Sequence, residues 1–87
     1  MTHELKILPD YFDAVLLGTK TFEIRKDDRE FKNGDTLLLR EWDNAAYTGR
    51  ETERVVSYIY YGNGEYGLEP GYCVIGLKSV VRPAEVA

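Results

Sequence analysis

The chain has 87 residues, of which 44% are apolar and 30% charged, with a formal net charge of −4. That is one globular domain, residues 1–87, rather than a disordered chain, and the longest apolar runs fall far short of the about 20 residues that span a bilayer. The acidic balance argues against a duplex DNA surface, because non-specific affinity for nucleic acid comes from cations that displace counterions from phosphates. No basic-then-apolar leader is visible at the start, and the single Cys73 has no internal partner, so a cytoplasmic setting is expected.

Residues 4–8 alternate as a short strand, with Leu5 and Ile7 on one face. Pro9 suits the first position of a helix, and Asp10 and Asp13 complement the positive end of its dipole. Tyr11, Phe12, Val15 and Leu16 form its buried stripe, and Gly18 ends it in a left-handed cap, giving a helix over 9–17. Residues 20–26 alternate again, with Phe22 and Ile24 expected in the core and Thr21, Glu23 and Arg25 on the opposite face. Asn33-Gly34-Asp35 is a turn signal before a strand over 36–42. Residues 43–49 read as a polar loop, and 51–61 as a long strand rich in β-branched and aromatic residues. Four glycines and a proline make 62–71 an irregular loop. A last strand over 72–81 places Cys73, Ile75, Leu77, Ser79 and Val81 on one face, and the tail 83–87 is expected to fray. Five strands and one short helix near the start predict a mainly β (α+β) fold, a small and partly open barrel.

Charge is concentrated in one place. Residues 20–32 hold five cations and four anions, so this segment is +1 and the remainder −5. The contrast favours a local cleft for a small anionic or single-stranded ligand. Within it, Arg25 offers a planar fork of donors to a phosphate, carboxylate or base edge, Glu23 can orient it or accept a hydrogen bond, and Lys20 supplies a second cation. The plainer alternative is a solvated strand face with a cross-strand salt bridge. Tyr66 and Tyr72 flank the glycine-rich loop and could stack on a ligand, whereas Tyr58 and Tyr60 are read as barrel packing. His3 reads as a terminal surface residue, and Cys73 as an inert core thiol. No spacing suggests a metal site, and no cofactor is expected.

Gly18-Thr19-Lys20-Thr21-Phe22-Glu23-Ile24-Arg25 resembles the signature segment of ASCH domains, members of the PUA-like superfamily. Residues 31–37, FKNGDTL, resemble the Gly-Asp turn of the same group. The opening 3–7 with Tyr11-Phe12, and the closing 71–77, are similar to small phage and bacterial ASCH-like proteins of unknown function. The resemblance covers nearly the whole chain. It implies a PUA-like barrel with a groove between the early helix and neighbouring strands, lined by the Lys20 to Arg25 segment. It also implies a binding module for single-stranded RNA or a modified nucleotide, with Lys20, Thr21, Glu23 and Arg25 as ligand residues. A few small ASCH members are amidohydrolases of acylated cytidines, with a lysine matching Lys20, a hydroxyl residue three positions on, and a later glutamate. Here the third position is Glu23, so that activity would rest on Lys20 and Glu23 as the catalytic pair. A third reading is a phage or host protein-interaction module that uses the aromatic loop 62–72.

Overall fold

A computed structural model describes residues 1–80; the expected frayed tail 83–87 and Val81 lie outside the described residues. The chain runs β1 (Thr2–Ile7), α1 (Pro9–Leu16), β2 (Phe22–Lys26), β3 (Thr36–Asp43), β4 (Ala46–Tyr61), a single 3-10 turn (Glu65–Gly67) and β5 (Tyr72–Ser79). The strands form one sheet in the order β1-β3-β4-β5-β2, with β1 and β3 parallel and the other pairs antiparallel. Consecutive strands β1 and β2 therefore occupy opposite edges. The sheet curls into a half-barrel that brings those edges back together. Across the seam the Arg25 guanidinium donates to the Lys6 carbonyl (2.6 Å), and Arg29 donates to the Glu4 carbonyl. Two side chains thus cap carbonyls that an open edge would leave unpaired.

The core fills the inside of the curl. Leu5 and Ile7 of β1, Leu37 and Leu39 of β3, Val56 and Ile59 of β4, and Cys73, Ile75 and Leu77 of β5 alternate inward, and Phe31 packs among them. Helix α1 covers one end with Phe12 and Val15. Tyr11 and Leu16, expected in the same stripe, are about half exposed, because an eight-residue helix over a barrel mouth buries a narrow face. Gly18 ends the helix at φ +78°, the left-handed cap its position predicts.

Four further expectations are corrected. First, β2 is turned over: Phe22 and Ile24 are 45% and 56% exposed, while Glu23 is 5% exposed. Glu23 and Arg25 pair with the inward Ile75 and Cys73, and Phe22 and Ile24 pair with the outward Gly76 and Val74. Cross-strand neighbours share a face, so the register with β5 decides the matter. Second, the loop expected over 43–49 is a tight hairpin. Asn44 and Ala45 both adopt positive φ (49° and 62°), and β4 begins at Ala46. A two-residue turn of this hand normally advertises itself with glycine, which is absent here. Third, His3 is buried rather than a surface residue. Its Nε2 lies 2.8 Å from Asp35 Oδ2 and its ring meets Phe31 edge-on at 4.8 Å. Fourth, Tyr58, read as packing, is 67% exposed on the outer face.

An ion pair between the buried Glu41 and the half-exposed Arg50 ties α1 to the β3–β4 hairpin. Arg50 donates through Nε and Nη2 to Glu41 (3.0 and 2.6 Å), Thr48 Oγ1 adds a third hydrogen bond (2.6 Å), and Arg50 Nη2 also reaches Asp13 (2.7 Å). The Arg50 and Thr48 hydrogen bonds hold the Glu41 carboxyl down to about 2. The His3 contact, foremost among several causes, lowers Asp35 as well. A carboxyl depressed in the fold adds stability that is complete above its unfolded range, near 4.5, and is lost as pH falls through about 2. The urea midpoint is therefore expected to fall steeply between pH 5 and 2.5, and less steeply in Glu41→Gln. Parallel curves for the two proteins would contradict this.

Candidate functional site

The seam between β1 and β2 opens into a cleft of about 460 Å³. Lys6 and Ile7 at the end of β1, with Leu8 and Tyr11 around the start of α1, make one side; Phe22 and Ile24 of β2 make the other. Lys20, Glu23 and Arg25 also line it. Glu23 is the centre of the polar group. Lys20 Nζ donates to its Oε1, and Arg25 Nε donates to its Oε2 at 2.9 Å. The carboxylate is nearly buried, the lysine and arginine about one fifth and one quarter exposed. Burying a carboxylate is costly unless it is paired and hydrogen-bonded, and both oxygens here are.

The local geometry explains how residues three apart can meet. Lys20 stands in the turn before β2, where its backbone N–H donates to Ala14 at the end of α1 (3.1 Å), so strand alternation does not apply to it. Its ammonium lies 5.4 Å from the centre of the Tyr11 ring and 5.5 Å from that of Phe22. Both rings offer their electron-rich faces to a cation. The three charges sum to +1. Beyond the bonds already made, Lys20 and Arg25 retain N–H donors for a guest.

Three other residues singled out in the sequence lie elsewhere. Thr21 is exposed, and its carbonyl accepts a hydrogen bond from Leu77 N (2.8 Å). Tyr66 is 89% exposed on the far loop, with its ring centre 6.2 Å from that of Tyr60. Tyr72 faces outward beside Lys26. Conversely, Lys6, Leu8, Tyr11, Phe22 and Ile24 enter the cleft without having been marked for it. Nothing in their spacing announces it; the edge-to-edge closure of the sheet brings them there. Cys73 is buried, and burial, with Asp27 and Asp28 nearby, pushes its thiol up to about 11, which keeps it protonated.

A family profile described as a domain of unknown function (DUF3850) matches residues 2–77. The chain belongs to that family. Over 57 residues it is 51% identical to an uncharacterized 12.9 kDa protein in the GpA 3′ region of Escherichia phage P2. The match covers 66% of this chain and 52% of the phage protein, so it spans about half of that relative's length. Every cleft residue of this DUF3850 domain falls within the part the family profile covers. Among the described residues, no helix of the DUF3850 domain is long and apolar enough to cross a membrane, and no group of three or more His, Cys, Asp or Glu side chains could hold a metal ion.

Proposed function

We propose that the cleft binds a nucleobase-bearing ligand, a modified nucleotide or one residue of a single-stranded RNA, in the manner of a PUA-like module of the ASCH type. The observation that carries this is Glu23, buried and clamped by Lys20 and Arg25 where two aromatic rings flank the lysine. Each part has a task in such a complex. A flat ring stacks against Tyr11 or Phe22; the unused donors of Arg25 and Lys20 meet a phosphate or a base carbonyl; Glu23 accepts from an exocyclic amino group. The cleft volume is in the range of small-molecule sites, about 300–1,000 Å³. With Lys6 counted, the charged residues lining the cleft sum to +2, which suits one phosphate rather than a polyanion and fits an acidic protein. A cytoplasmic setting, with a free and buried cysteine, goes with this reading.

Calorimetric titration with nucleoside monophosphates and short single-stranded RNAs at low salt tests it. Saturable binding is expected, with a shallow salt dependence from the one or two phosphates engaged. Arg25→Ala should weaken it about tenfold or more, as for a lost charged hydrogen bond, and Arg25→Lys less. Absence of saturable binding, or binding indifferent to Arg25→Ala, overturns the proposal.

One observation favours a second reading, an amidohydrolase of acylated nucleosides. Lys20 and Glu23 are in direct contact inside the cleft, as a proton-exchanging pair would need to be. Release of acetate from an acetylated cytidine, abolished by Lys20→Ala, would support it; no release from the intact protein removes it.

A further inference from the structure

The outer face of β4, β5 and β2 carries a feature that shares only Phe22 with the cleft. Gly76 of β5 pairs with Tyr58 on one side and Phe22 on the other. Both aromatic side chains are well exposed, at 67% and 45%. Between them Gly76 contributes no side chain. Their Cα atoms stand two strand spacings apart, about 9.5 Å. A planar ring held in van der Waals contact on both faces needs about 7 Å between the planes of the two rings that flank it.

The β4 bulge finishes the slot. The register shifts between Val56 and Tyr58, which leaves Ser57 as the extra residue. A methyl group on Gly76 would lie 2.5 Å from the Ser57 hydroxyl oxygen. The Ser57 hydroxyl therefore takes the place over Gly76 that a side chain would otherwise fill, and it floors the slot with a group able to give or accept a hydrogen bond at a ring edge.

Charge completes the pattern. The next outward residue on β5 is Lys78, and β2 ends outward with Lys26. Outward positions on this part of the sheet otherwise hold Val55, Tyr58, Tyr60, Tyr72, Val74, Phe22 and Ile24; the nearest outward carboxylate of β4, Glu53, lies two residues beyond Val55, on the Lys78 side and away from the slot. In a chain of net charge −4 this is a cationic, aromatic island. Interleaved aromatic rings and lysines suit unpaired bases on a phosphate backbone. Phe22 also lines the cleft, so the two places meet across the edge strand β2.

We propose that the slot over Gly76, between Tyr58 and Phe22, is a second stacking subsite for a single-stranded nucleic acid whose neighbouring nucleotide occupies the cleft. This rests on the cleft reading and extends it from one nucleotide to a strand with a defined path.

The test compares uridine monophosphate with a uridine tetranucleotide, by calorimetry, on the intact chain and on Tyr58→Ala and Tyr58→Phe. The tetranucleotide is expected to bind at least about tenfold tighter than the mononucleotide, the gain from one more stacked base. Tyr58→Ala should remove that gain and leave mononucleotide affinity unchanged, and Tyr58→Phe should keep it. If the mononucleotide binds but added length brings nothing, or Tyr58→Ala does not touch the gain, the slot is refuted and the cleft stands. If the mononucleotide does not bind, the cleft reading fails, and the slot as its neighbour fails with it. Sedimentation gives the remaining outcome: a dimer dissociated by Tyr58→Ala, with no length dependence, assigns this face to a second copy of the chain and overturns the proposal.

Discussion

Phe12→Ala is expected to destabilise the fold by about 3–5 kcal/mol, a large part of the total for a domain of this size. Phe12 is 1% exposed and is one of two buried residues by which α1 holds to the sheet, Val15 being the other. The helix has eight residues, too few to persist in water by hydrogen bonding alone, so its order depends on that docking. The ring also supports the Arg50 guanidinium, 4.6 Å from its centre, and so steadies the ion pair with Glu41. The consequence reaches the cleft, because the same helix presents Tyr11 one residue away. Equilibrium urea unfolding measures the loss, and Phe12→Leu should cost far less. A loss below about 1 kcal/mol for the alanine variant would mean that the helix is held by something other than its apolar face.

Gly62→Ala should be comparably severe for a different reason. A methyl group there would sit 2.1 Å from the Glu69 carbonyl oxygen and 2.9 Å from that of Tyr72, and Gly62 N already donates to Tyr72 O at 2.7 Å. Both obstacles are backbone, so no side chain can swing aside. The loop joining β4 to β5 must open, at about 3 kcal/mol or more, which lowers the thermal midpoint by about 12 °C or more. Gly49→Ala is the control. Gly49 has open space around its Cα and a φ of +95°, so only the conformational cost applies, about 1 kcal/mol. Equal losses in the two variants would contradict the account of Gly62.

Much of the architecture is legible in the residues themselves. Alternating apolar positions mark β1, β3 and β5, and Pro9 and Gly18 bracket the helix. The facing of β2 is not legible, because a five-residue strand with an ion pair on one face and two apolar residues on the other reads equally well either way. What settles it is the register with β5 and the pairing of both Glu23 oxygens, and each depends on residues distant in sequence or in a turn. The Asn44-Ala45 turn is hidden because alanine carries no sign of positive φ. His3 looks terminal until Asp35 and Phe31, more than twenty-five positions away, enclose it. The candidate site divides in the same way. Lys20, Glu23 and Arg25 stand within one short segment of distinctive charge, so they can be found by inspection. Lys6 becomes their neighbour only because the two edge strands close on each other, a property of strand order, and Tyr11 because the turn after α1 folds Lys20 back against the helix.

The central claim is that a nucleobase ligand is held at the Lys20, Glu23 and Arg25 group. Its most direct test is amide and side-chain NMR shift mapping during titration with nucleoside monophosphates. Perturbations are predicted to centre on Tyr11, Lys20, Glu23 and Arg25, including the Arg25 Nε–H signal that reports its bond to Glu23. Saturating shifts confined to other parts of the sheet, or no saturating shifts at all, would contradict it.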